Sequence, residues 1–566
     1  MPRVRRTVSA LLAALLALGA AGCGAAAEPG EPVVLRVLAG SELADMAETL
    51  REAEEALNVR VELTSIGSVE GAQLLTEPDV AQRYDAVWFG ADQFFGLWPG
   101  SRAALLRQSP PLMRSPVLVG VRASLAEERG WTETAPPNWT DLVGAVAAGQ
   151  FRFGMTRPDH SNSGLAGLVA VATALAGTGL PVTDADVPGL QDDLRAFFAG
   201  HRLTANTSLE LSQAYLTQAG SGGTDCGRAS GTDGVDGLII YESEIKRMNN
   251  TELNEDCRLR AIYPGEGTTI AEYRLSLLRG TTPRVQEAFD RLWRWLLEPP
   301  VQERISDRTS RRPGNPAVAS PQNAVPVAQL RYPTNPAVLR NLVERYRTSV
   351  RPPSRMVFVL DVSGSMEDNM SLLRNAIISL TGTDPEDPTT YYAFLPGEQV
   401  TFVPFNQKPL PARTFPLPAG TETAPTLAEI RDYVRNDLRA EGNTAMYAAL
   451  EEAHRRVDPG PSTSIVLFSD GQNNCGHNYG DYIRFRDTLS PEEREVPIYT
   501  IAFDSGASGG VSCGGYRPDD GPAGVDGATQ WERELRAIAA ASGGQLFPAS
   551  PDAPLYSVFW SIRGQQ

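Results

Sequence analysis

The sequence predicts an α/β protein made of two large units in tandem, and three observations carry that prediction. The chain has 566 residues, more than one hydrophobic core sustains, so its length suggests about two to four domains. Buried-strand patterns alternate with helix-length patterns from residue 33 to about 320 and again from 354 to 566, as in parallel sheets covered by helices on both faces. Between them lies a segment dense in proline, including Pro321, Pro326, Pro333, Pro336, Pro352 and Pro353. It reads as a stiff connector over 321–353, interrupted by one helix-like stretch from Val338 to Tyr346.

In the first unit, Val34 to Leu38 reads as a buried strand. Leu43, Met46, Leu50 and Leu57 then recur near helical spacing, and Val59, Val61 and Leu63 alternate as a strand does. Tyr84 to Phe89 is a further apolar run that stops at Gly90. In the second unit, Met356 to Leu360, Val400 to Val403, Ile465 to Phe468 and Ile498 to Phe503 are buried-strand candidates. Leu372, Leu373, Ala376, Ile377 and Leu380 share one helical face, and Leu535, Ile538 and Ala539 lie on a last helix.

The first residues read as a targeting signal. Arg3, Arg5 and Arg6 precede a short apolar run from Leu11 to Leu18, about half the ~20 residues that a membrane-spanning helix needs. Ala20-Ala21-Gly22-Cys23 follows. This resembles a bacterial lipobox, with Ala20 where leucine is commoner. The resemblance implies that residues 1–22 are removed and that Cys23 is lipidated. Residues 23–32 would then be a tether on the outer face of the cell membrane, with the lipid as the only anchor. An ordinary secretory signal with a chance cysteine is the other reading.

Export places Cys226, Cys257, Cys475 and Cys513 in an oxidising compartment, where an even number suggests disulfides. Cys226–Cys257 and Cys475–Cys513 is the favoured pairing, because each bridge closes a loop within one unit. No CxxC spacing supports zinc. The formal net charge of −17 repels nucleic acid and anionic lipid at long range, so no nucleic-acid partner is expected.

Asp361-Val362-Ser363-Gly364-Ser365 follows directly on a buried strand, and ligand sites of open α/β sheets lie beyond the carboxyl ends of strands. A carboxylate and two hydroxyls on one loop suit a hard cation: Mg²⁺ foremost, or Mn²⁺ or Ca²⁺. These residues match the DxSxS motif of the metal-ion-dependent adhesion site in von Willebrand factor A domains. Gly442-Asn443-Thr444 resembles the second loop of that site, and Leu467-Phe468-Ser469-Asp470-Gly471 the third. The resemblance implies a doubly wound, Rossmann-like domain over 354–566, with Asp361, Ser363, Ser365, Thr444 and Asp470 as metal ligands. It also implies a coordination position open to an acidic residue of a protein partner. Helix N-capping by Ser363 and Asp470 is the plainer alternative. Ser363 has no candidate base in sequence context. His454 reads as a surface helix residue and His477 as an ordinary loop residue, and no phosphate-cradling GxxxxGK[ST] loop is present.

Pro137-Asn138-Trp139-Thr140-Asp141-Leu142, Pro158 to Gly164, Gly237 to Ser243 and Arg312-Pro313 resemble motifs of bacterial extracellular solute-binding proteins of the molybdate and sulfate type. The resemblance implies a two-lobed periplasmic-binding-protein fold over 33–320. One lobe would span 33 to about 115 plus 270 to 320, and the other the residues between. It makes Ser41, Ser161, Asn162, Ser163 and Tyr241 ligand candidates for a small solute or oxyanion at a helix N-terminus. Arg157 is available either to neutralise an anion or to face solvent, and capping by Ser161 or Asn162 is the plainer role.

The expected function is that of a non-enzymatic surface binding protein. Its second unit would recognise a protein through a divalent metal, and its first would give a second binding surface. The alternative is a substrate-binding receptor of an ABC importer with an accessory von Willebrand factor A domain.

Overall fold

The computed structural model describes residues 31–97, 102–132, 134–220, 234–382, 393–420, 422–460, 462–503, 512–519, 521–522, 529–549, 558–559 and 562–563. Cys23 and Cys226 lie outside the described residues.

The principal strands of the first unit are β1 (Val33–Gly40), β2 (Val59–Ile66), β3 (Ala86–Phe89), β4 (Met113–Arg122), β5 (Phe153–Thr156), β6 (His201–Ala205), β7 (Gly237–Tyr241) and β8 (Ile270–Leu278). They follow the order β2-β1-β3-β8-β4-β7-β5-β6 within an eleven-stranded sheet. β1 is parallel to both β2 and β3. β8 runs antiparallel to β3 through residues 274–277 and antiparallel to β4 through 270–273. β4 pairs with β7 through 117–121. The long strands β4 and β8 therefore pass from one lobe into the other, and the lobe boundaries read near 115 and 270 fall inside them.

Helix α1 (Asn162–Ala176) is apolar around its circumference and buried from Asn162 to Thr173, as a helix enclosed on all sides must be. Gly164 lets it start tight against the sheet, because a Cβ there would stand 2.1 Å from the carbonyl oxygen of Thr156. Helix α2 (Gln191–Phe198) packs nearby through Leu194, Phe197 and Phe198.

The proline-rich segment departs from the expected connector. Its backbone pairs with the first unit: Leu330 N–H donates to the Thr268 carbonyl at 2.8 Å, and Thr268 N–H to that of Ala328 at 2.9 Å. Helix α3 (Pro336–Arg345) and a π-helical turn (Tyr346–Val350) follow. Val338, Leu339, Leu342, Val343, Tyr346 and Val350 join the core of the first unit, and Tyr346 meets Phe198 with ring centroids 4.9 Å apart. Proline limits regular structure but does not prevent burial. The segment is a strap laid over both lobes, touching Gly96 of one through Arg340 and Asn162 of the other through Tyr332.

The second unit has β9 (Arg355–Asp361), β10 (Gln399–Phe405), β11 (Arg413–Pro416), β12 (Thr463–Ser469), β13 (Ile498–Phe503) and β14 (Leu546–Ala549). Their order is β11-β10-β9-β12-β13-β14, all parallel except the β11 edge. The residues of β9 alternate between two cores. Met356, Phe358 and Leu360 face one side of the sheet, and Val357 and Val359 the other. The chain turns outward in opposite senses from β9 and β12, so their carboxyl ends flank a topological switch point. No helix among the described residues is long and apolar enough to cross a membrane.

Candidate functional site

Asp361 ends β9 and Ser469 ends β12, side by side at the switch point. The backbone brings the second loop to them: Gly364 N–H donates to the Gly442 carbonyl at 2.9 Å, and Glu441 N–H to that of Val362 at 2.8 Å. Thr444, two residues on from Gly442, is buried ahead of helix α4 (Met446–His454). Asp361 Oδ1 accepts from Ser363 N–H at 2.9 Å, and its Oδ2 accepts from the Ser469 hydroxyl at 2.7 Å. Ser365 Oγ donates to Asp470 Oδ1 at 2.9 Å and lies 3.1 Å from Ser363 Oγ. The structure thus places the residues read as metal ligands on three converging loops. Ser363 and Asp470 are engaged with this cluster, and Ser363 makes no side-chain cap to the short helical turn after it.

The electrostatics of the cluster are those of buried acids. Asp361 and Asp470 are both fully buried. Burial, with a smaller contribution from the charge of Asp470, pushes the Asp361 carboxyl up to about 7. Burial raises Asp470 as well, and its Oδ2 has no hydrogen-bond partner. Two desolvated carboxylates with one orphaned oxygen, beside three hydroxyl side chains, fit a hard divalent ion. Ser469 was not singled out from the sequence as a partner of Asp361, although it adjoins Asp470 in the motif.

Cys475 and Cys513 form a disulfide, as read from the sequence. Cys257 is buried and disulfide-bonded. His454 corrects its reading as a surface residue: it is buried, with Nε2 3.1 Å from the Tyr482 hydroxyl, and burial lowers its pKa to about 4. A helix face that looks polar at one histidine is buried here because α4 packs on both the sheet and the helix that holds Tyr482. His477, on its loop, pairs with Glu451 at 2.5 Å.

In the first unit, Ser161, Asn162, Ser163 and Tyr241 come together, but they satisfy one another. Asn162 Nδ2 donates to the Tyr241 hydroxyl at 2.9 Å, and Tyr332 of the strap reaches Asn162 Oδ1 at 3.5 Å. Ser163 Oγ sits 2.8 Å from Thr156 Oγ1 and 2.9 Å from Ser208 Oγ. Ser161 precedes α1 without a side-chain cap, and its Oγ lies 3.4 Å from that of Ser163. Arg157 does not face solvent: it is buried and makes a two-pronged pair with Asp159 at 2.9 and 2.7 Å. Arg347 of the strap adds a second cation 3.7 Å from Asp159. Ser41 is buried, with no hydrogen-bond partner for its Oγ. The strap contacts carried by Tyr332 and Arg347 have no sequence signature, because nothing in local periodicity says what a connector lies on.

Glu42, beside Ser41, is a buried carboxyl pushed up to about 7 by burial, against the opposing pull of Arg311 and with Glu244 nearby. Its folded pKa exceeds the unfolded value, so the stability it confers is full below about pH 4 and is lost as pH rises through 7. Between pH 5.5 and pH 8 wild type should lose at most ~3 kcal/mol more stability than Glu42→Gln, a comparison that cancels the opposite titration of buried His201, whose pKa burial lowers to about 4. Calorimetry of both proteins at both pH values measures it.

Residues 35–308 match the family model of a bacterial extracellular solute-binding protein, and residues 356–472 match that of the von Willebrand factor type A domain. Among solved structures, a periplasmic thiamin binding protein is 14% identical, with TM-score 0.42 over 57% of this chain and 97% of its own. Iron-bound HitA from Pseudomonas aeruginosa is 16% identical, with TM-score 0.40 over 56% of this chain and 98% of its own. A ferric binding protein from Campylobacter jejuni is 13% identical, with TM-score 0.38 over 56% and 97%. No curated protein matches the chain.

Proposed function

Because this chain joins a bacterial extracellular solute-binding domain to a von Willebrand factor A domain, we propose that it is an exported, lipid-anchored binding protein that captures a protein partner through a divalent metal, Mg²⁺ foremost. The observation that carries this reading is the buried pair Asp361 and Asp470 at the switch point, with an orphaned carboxylate oxygen and three hydroxyl side chains on converging loops. Asp361, Ser363, Ser365, Thr444 and Asp470 would hold the ion. The ion would supply an electrophilic position for a partner carboxylate, and the chain's own residues would set its place and exclude competing water. The lipid anchor at Cys23 belongs to the same reading. The first unit serves as a second recognition surface, with the strap laid over both lobes.

The test is capture of partner from the native cell envelope by the full chain in Mg²⁺, in EDTA, and by Asp361→Ala. Capture that needs Mg²⁺ and fails in the variant supports the reading. Capture indifferent to both sinks it.

A second reading, a substrate-binding receptor of an ABC importer, is favoured by the match over 35–308. It requires a solute to enter where Asn162, Tyr241 and Tyr332 now contact one another. A thermal-shift panel of oxyanions, amino acids and sugars on the full chain separates the two. A ligand at a hundredfold excess over its Kd stabilises by roughly 2.7 kcal/mol, and such a shift would favour the receptor.

A further inference from the structure

The loop that carries Thr444 is held from outside its own helix. Thr444 N–H donates to Asn474 Oδ1 at 2.8 Å. Its carbonyl accepts from the N–H groups of Asn474 at 2.9 Å and Cys475 at 3.0 Å. The carbonyl of Asn474 in turn accepts from Cys513 N–H at 3.0 Å, and Asn443 Nδ2 lies 3.4 Å from Cys513 Sγ. The Cys475–Cys513 bridge, with Cα atoms 5.1 Å apart and a sequence separation of 38, closes this set. Both main-chain polar groups of Thr444 are thus committed to residues at or beside the bridge.

We propose that Asn474 and the Cys475–Cys513 disulfide position the second metal loop, so that the affinity of the metal site depends on the bridge being closed. This rests on the metal reading above. Asn474 and Cys475 follow Asp470 on the third loop, so one short segment presents a ligand and also fixes the loop of another. The segment at Cys513 comes after β13, far along the chain, and the disulfide is the covalent bond that keeps it against Asn474. Opening the bridge leaves Cys513 held only through its neighbours, whose Arg517 and Asp519 bond to Asn478, Gly480 and Gln530, and so loosens the contacts to the Asn474 carbonyl and the Asn443 amide. Losing a partner that orients a metal ligand typically lowers affinity by about 10–100-fold. Cys475 is buried and Cys513 half-buried, so a small dithiol reaches the bridge from the Cys513 side. It would yield two thiols here and its own cyclic disulfide.

The experiment is Mn²⁺ binding to the full chain, read by electron paramagnetic resonance. It compares wild type, Asn474→Ala, Asn474→Asp and the double variant Cys475→Ser/Cys513→Ser, each with its melting temperature in EDTA. Asn474→Ala and the double variant should bind Mn²⁺ at least about tenfold more weakly. Asn474→Asp keeps an acceptor for Thr444 N–H and should stay within about threefold of wild type, a rescue that a merely structural role does not give. If the double variant does not fold, the Ala and Asp pair at 474 decides. Tight wild-type binding with Asn474→Ala unchanged overturns the positioning role alone. A wild-type chain that takes up no Mn²⁺ overturns the metal reading and this inference with it.

Discussion

Asp470→Asn is expected to weaken divalent-metal binding by more than about 100-fold and, in the same protein without metal, to raise the melting temperature. The two effects have opposite signs because one carboxylate serves two states. Without a cation, Asp361 and Asp470 are both buried, and burial raises the carboxyl pKa of each. Removing one charge while keeping a side-chain oxygen for the Ser365 hydroxyl relieves that cost near neutral pH. With a cation present, the same charge is half of what neutralises it. Calorimetry of wild type and variant in EDTA and in Mg²⁺ reads both effects. A residue that served only as a hydrogen-bond acceptor would give a variant unchanged or less stable in EDTA and equally stabilised by Mg²⁺.

Glu398→Ala should cost about 3–5 kcal/mol of folding stability. Glu398 is buried, and burial alone would raise its pKa. Arg563 and Arg351 overcome that and hold the carboxyl down at about 2. Arg563 meets both oxygens at 3.0 Å, Arg351 reaches Oε1 at 2.7 Å, Ser354 Oγ also donates to Oε1, and Leu395 N–H donates to Oε2. Truncation leaves two buried guanidinium groups facing each other without an anion. Because the folded pKa is depressed, this stabilisation is complete above about pH 4.3, the unfolded value, and fades as pH falls toward 2. Arg351 is the residue where the strap passes into the second unit. A variant within about 0.5 kcal/mol of wild type, the usual range for an inert surface position, would contradict this account of the network.

Much of the fold was legible because it rests on local rules. The apolar runs at Met356 to Leu360 and Ile465 to Phe468 became the central strands β9 and β12, and the DxSxS residues fell on the loop at their carboxyl ends. Cys475 met Cys513 as paired from the sequence. What was not legible depends on long-range partners. The helical face of Val338, Leu339, Leu342 and Val343 showed a side to bury but not that both lobes would cover it. Arg157 was read as solvent-facing or anion-binding, whereas Asp159 and the strap enclose it. Glu398 is a lone acid between a turn and a strand, and its arginines stand 47 and 165 residues away. Asn474 lies outside the ligand motifs, and only the fold shows it under Thr444.

Whether Asp361 and its neighbours hold a divalent ion is decided by titrating the metal-free full chain with Mn²⁺ under electron paramagnetic resonance, with Mg²⁺ as competitor and Asp361→Ala beside it. The chain should take up a single ion, displaced by Mg²⁺ and absent in the variant. Uptake that survives Asp361→Ala, or no uptake at all, would contradict the metal reading.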